Sequence, residues 1–140
     1  MVQLIVGNKG KGKTKYLLDK VNEEVKNVLG NVVFLDKNTS HMFELNNRIR
    51  LIVVPDYMID SPEAFIGFIS GIISQDHDLQ KVYLDSFLQI ACIEAGMSIE
   101  SVLEKLQKLS DKFNIDFVMS VSMNVSELPE IVNSMTVTSL

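Results

Sequence analysis

Eight consecutive residues, Gly7-Asn8-Lys9-Gly10-Lys11-Gly12-Lys13-Thr14, have the types and spacing to hold a chain of phosphates. They spell G-x-x-x-x-G-K-[ST] between the apolar run Val2–Val6 and a helical pattern that starts near Thr14. Glycines let backbone N–H groups wrap a phosphate without Cβ clashes, and the helix N-terminus behind them adds its positive dipole end. Lys13 would reach the β- and γ-phosphates, and the Thr14 hydroxyl would ligate Mg2+. Four of the eleven lysines stand at 9, 11, 13 and 15, so positive charge gathers where a polyphosphate is expected. Gly7 through Lys15 form the candidate binding segment; Lys9, Lys11 and Lys15 either touch phosphate or are simply solvated.

A second candidate is Asp85, which closes the apolar run Lys81-Val82-Tyr83-Leu84. A carboxylate at such a strand end holds Mg2+ through its water shell, opposite the loop threonine. Asp85 could otherwise be a turn former. Two other acids, Asp36 and Asp56, also stand at the ends of apolar runs, and Ser122 follows the fifth run.

Elements that alternate between strand and helix must position these groups. Strands are expected at Val2–Val6, Asn31–Leu35, Arg50–Val54, Lys81–Asp85 and Ile115–Val121, with a last one at Met135–Thr138. A helix from about Thr14 to Val28 shows Tyr16, Leu17, Val21, Val25 and Val28 on one face. Ser61-Pro62-Glu63 reads as an N-cap, a proline at the first helical position and a first-turn acid, opening a helix that runs to about Ser74. In that helix Gly67 and Gly71 would permit close approach to the sheet. A short helix is expected from Phe87 to Ala95. After it, Ser98 should cap an amphipathic helix carrying Ile99, Val102, Leu103, Leu106, Leu109 and Phe113 on one side. Strands of continuous apolar residues between helices argue for a parallel sheet covered on both faces, a three-layer α/β/α sandwich. Ligands bind at the C-terminal ends of such strands. There the phosphate loop and the three acids would converge.

The chain has 140 residues, enough for one domain over 1–140 with a real core. A net charge of −5 with only two arginines, Arg48 and Arg50, argues against gripping nucleic acid by its phosphates. Cys92 is the single cysteine, which excludes an internal disulfide and points to a buried, inert thiol. His41 and His77 sit in polar surroundings without ligand spacing and read as surface residues. No apolar stretch approaches the roughly 20 residues of a membrane span, so a cytoplasmic protein is expected.

On Gly7–Thr14, on Leu84-Asp85-Ser86 and on element order, the chain resembles the P-loop NTPases, and their RecA-like branch in particular. The resemblance implies ATP and Mg2+ as cofactors and a strand order of 3-2-4-5-1-6. It implies a γ-phosphate sensor at Ser122, with Ser120 or Asn124 as alternatives. Many relatives carry a glutamate just after the Asp85 position, where this chain has Ser86. Others place it at the end of the strand after the first helix, where this chain has Asp36. Either Asp36 or Asp56 could serve as the base. Arg48 and Arg50 start the third strand, away from the nucleotide, and could act only from a neighbouring subunit of a homo-oligomer. Asn8 replaces the lysine of the dimerising MinD-like ATPases, and no guanine-reading N-K-x-D follows strand five, which favours ATP over GTP. Three functions fit: a minimal, slow Mg-ATPase; a non-hydrolysing switch or assembly subunit with a protein partner; and a small-molecule or nucleotide kinase. The last is opposed by the lack of a lid insertion and of spare arginines.

Overall fold

Apolar runs become strands because a pleated segment covered on both faces buries every side chain. β1 (Val2–Val6) and β2 (Asn31–Asp36) follow this rule; every residue of β1 is buried. β3 (Ile49–Val53), β4 (Leu79–Leu84), β5 (Asp116–Val121) and β6 (Thr136–Ser139) complete one sheet in a computed structural model that describes residues 1–140. All pairings are parallel and the order is β3-β2-β4-β5-β1-β6, as expected. β1 therefore lies between β5 and β6, with Val6 opposite both Val121 and Ser139.

The helices divide unevenly. α1 (Lys13–Glu24) and the 3-10 turn after it cover one face, packing Leu17, Val21 and Val25 on Ile5, Phe34, Tyr83 and Val118. α2 (Pro62–Ser74) and α4 (Glu100–Phe113) cover the other, with Phe65, Ile69, Leu103 and Leu106 on Leu4, Leu35, Val82 and Phe117. Each such large apolar side chain contributes about 1.5–3 kcal/mol on full burial. No helix is long and apolar enough to cross a membrane.

The local signals mostly acted where they stood. Ser61 caps α2 by accepting from the Ala64 N–H at 3.0 Å. Other expectations changed. α1 ends at Glu24 and tightens into a 3-10 turn over Val25–Asn27. The helix expected to run to Ala95 stops at Ile90 as α3 (Phe87–Ile90), because Cys92 takes a left-handed backbone at φ 59°. Ile99, not Ser98, is the N-cap of α4. Gly67 and Gly71 face outward: a Cβ on either would meet nothing within 4 Å, so no close approach explains them. Cys92 is only half-buried; its thiol donates to the Ile59 carbonyl, and burial pushes its pKa up.

Candidate functional site

β1 delivers the chain to a loop that turns directly into α1. Gly10 and Gly12 make that turn at φ 84°, a region that costs residues with a Cβ roughly 1–2 kcal/mol each. Lys13 is 7% exposed, and its Nζ folds back to donate to the Asn8 carbonyl at 2.9 Å. The loop is thus closed on itself by its own lysine. Burial lowers the Lys13 pKa, and the Asp85 carboxylate opposes that shift.

One residue on, the Thr14 hydroxyl lies 3.1 and 3.0 Å from the two oxygens of Asp85, joining positions 71 residues apart. Asp85 follows β4 directly and is buried. Its position is fixed twice more. Its N–H donates to the Leu35 carbonyl, and the Ser120 hydroxyl donates to Oδ1 at 2.6 Å. Ser120 in turn accepts from the Ser86 N–H at 2.9 Å. The ends of β2, β4 and β5 are therefore tied together behind the loop.

Asp36 ends β2 and is 1% exposed. Its Oδ1 accepts from the Lys37 N–H at 2.7 Å, while its Oδ2 has no partner. Burial raises its pKa, the Lys37 amide works against the rise, and the neighbouring Asp85 carboxylate adds to it. His41 comes to the same place: ligand atoms of Asp36, His41 and Asp85 all lie within 4.8 Å of one another. His41, expected as a surface residue, keeps a partly exposed side chain and also faces these two buried carboxylates.

The result is a cleft of about 290 Å3 with no hydrophobic residue in its wall. Lys9, Gly10, Gly12, Lys13 and Thr14 supply one side, Lys37, Asp85 and Ser86 another, and Ser120 and Ser122 the third. Three lysines and a helix N-terminus suit a multiply charged anion, and the Thr14–Asp85 pair beside them suits a cation.

Other candidates stand outside the cleft wall. Lys15 pairs with Asp19 at 2.9 Å on the surface of α1. Asn8 and Lys11 are exposed on the loop. Asp56 lies exposed in the 3-10 turn Val54–Tyr57 after β3, the edge strand four places from β1. Asn124 caps the 3-10 turn Val125–Glu127. Arg48 donates to the carbonyls of Val25 and Val28 at 2.9 and 3.0 Å, closing the far end of the α1 segment, and no arginine lines the cleft. Sequence reasoning missed Lys37 and His41, and it weighed Ser120 only as an alternative sensor. A hydroxyl inside the buried run Phe117–Val121 was the available signal for Ser120.

No protein-family profile matches the chain. No curated protein matches it in sequence. Among solved structures it is similar to the flagellar accessory protein FlaH from Methanocaldococcus jannaschii, with a TM-score of 0.61 and 12% identity. The match covers 96% of this chain and 65% of that one, so the chain spans less than two thirds of FlaH. At that identity the likeness is one of architecture, and it gives the six-stranded parallel sheet a RecA-like fold.

Proposed function

We propose that residues 1–140 act as one nucleotide-binding unit that holds Mg-ATP in the cleft and hydrolyses it slowly. The observation that carries this reading is the Thr14–Asp85 contact at 3.0–3.1 Å beside the folded-back Lys13. A hydroxyl and a carboxylate held together at the first turn of α1 are the two protein groups a phosphate-bound Mg2+ needs. On binding, Lys13 would leave the Asn8 carbonyl for the β- and γ-phosphates, and the loop amides would take the remaining charge. Ser122, exposed on the cleft wall, would sense the γ-phosphate. Asp36 is buried beside Asp85, outside the cleft wall, and carries an unpartnered oxygen, which supports it as a water-orienting base over Asp56, exposed beyond the edge strand. Work in the cytoplasm, where ATP is supplied, is part of the same reading.

The test is nucleotide affinity of the parent against Lys13→Ala, followed by phosphate release over a range of protein concentrations. Lys13→Ala should bind Mg-ATP at least tenfold more weakly, the equivalent of about 1.4 kcal/mol. Equal binding by the two proteins overturns the assignment.

A second reading, a nucleotide-dependent switch without turnover, is favoured by Ser86. It stands where many relatives carry the base, and its backbone is committed to Ser120 at 2.9 Å. Tight binding with no phosphate release, and an oligomeric state that changes with nucleotide, would select it.

A further inference from the structure

We propose that Asp36, His41 and Asp85 form a site for a divalent transition-metal ion, with Glu44 holding the imidazole in place. The three side chains come from separate segments: the end of β2, the turn that follows it, and the residue after β4. Their ligand atoms lie within 4.8 Å of one another. An ion with bonds of about 2.0–2.2 Å spans up to roughly 4.4 Å between opposite ligands, so small side-chain rotations close the set.

Three observations point to a cation there. Asp36 Oδ2 is buried and unpartnered, and such an atom costs stability until something binds it. Asp36 and Asp85 are 1% and 2% exposed and adjacent, yet no salt bridge reaches either. Their hydrogen-bond donors are the Lys37 amide on Asp36, and the Ser120 and Thr14 hydroxyls on Asp85, all neutral. The third observation is the imidazole: His41 Nδ1 lies 2.7 Å from Glu44 Oε2. Metal-binding histidines ordinarily give their second ring nitrogen to such a carboxylate, which fixes the ring and leaves Nε2 to ligate.

The donor set chooses the class of metal. An imidazole nitrogen with two carboxylates suits Mn2+, Co2+ or Zn2+, whereas Mg2+ prefers an all-oxygen shell and gives up its waters reluctantly. The site shares Asp85 with the Mg2+ position and Asp36 with the base proposed above but needs no nucleotide, so failure of metal binding and failure of nucleotide binding are read separately.

The test is a Co2+ titration of the chelator-treated, nucleotide-free chain, followed by visible absorption and by calorimetry. The expected result is saturation at one equivalent, with Mg2+ in large excess failing to displace the ion. His41→Ala should weaken Co2+ binding more than Glu44→Gln, for which a loss of about 10–100-fold is expected, as for other outer-shell partners. Failure of the parent to saturate at one equivalent overturns the site. So does a His41→Ala protein that folds and binds Co2+ as the parent does. Because ATP is absent throughout, neither result touches the Lys13 assignment.

Discussion

Ser120→Ala removes one oxygen atom and two hydrogen bonds, and the size of the effect follows from their geometry. The bond to Asp85 Oδ1 is short, at 2.6 Å, buried and charge-assisted. Hydrogen bonds to charged groups are worth about 1.5–3 kcal/mol. The second bond, from the Ser86 N–H at 2.9 Å, is only part-buried, so water in the cleft replaces much of it. A loss of about 2–3 kcal/mol is expected, most of it from Asp85. With a urea slope near 2 kcal/mol per molar, the unfolding midpoint should fall by about 1–1.5 M. Ser122→Ala is the control: its side chain is exposed on the cleft wall, so unfolding should change by under about 0.5 kcal/mol. Nucleotide separates the two further. At a hundredfold excess over Kd, Mg-ATP should stabilise the parent by about 2.7 kcal/mol. Ser122→Ala should lose part of that gain because it loses a phosphate contact, and Ser120→Ala because Asp85 is no longer aimed. If Ser120→Ala unfolds within about 0.5 kcal/mol of the parent, the serine does not hold Asp85 and the reasoning fails.

Two further outcomes follow from single residues. Burial raises the Asp36 pKa above its unfolded value, so its ionisation lowers stability as pH climbs through the folded pKa. In chelator, Asp36→Asn should therefore be more stable than the parent at pH 7, with the gap closing as pH falls toward ~4; a constant gap across that range in urea melts refutes the cause. Gly30→Ala would drive a Cβ onto the Asp78 carbonyl oxygen and within 2.7 Å of Gln80 Cγ at the start of β2. Overpacking of this kind costs about 1–3 kcal/mol, and a thermal melt within a degree of the parent would show that the backbone gives way freely.

The phosphate-loop pattern and the buried strands were legible because they are local. Val2–Val6 and Asn31–Leu35 are apolar on both faces, and only a covered sheet satisfies that. The strand order came from resemblance, since no periodicity tells β1 that its neighbours are β5 and β6. What stayed illegible depended on distant partners. Phe113 continues the apolar stripe of α4 yet is 47% exposed, because the stripe outruns the surface it packs on. His41 sits in a polar segment without repeat. Its place beside Asp36 is set by turns in which Ser40 N–H meets Asn38 Oδ1 and Met42 N–H meets the Thr39 carbonyl. Ser120 reads as a lapse in an apolar strand until β4 is laid beside it.

The position of β1 has a consequence for synthesis on the ribosome. Its neighbours in the sheet begin at Asp116 and Thr136, so the earliest of these six strands cannot pair until more than a hundred further residues exist. At about 5–20 residues per second, that is a wait of roughly 6–20 s. Throughout it, a strand of four apolar residues and Gln3 is without its sheet neighbours. β2, β3 and β4 can associate earlier, so the half of the sheet bearing Asp36 and Asp85 takes shape before the loop they face. The nascent Val2–Val6 segment is thus the stretch of the sheet that stays unpaired longest during synthesis.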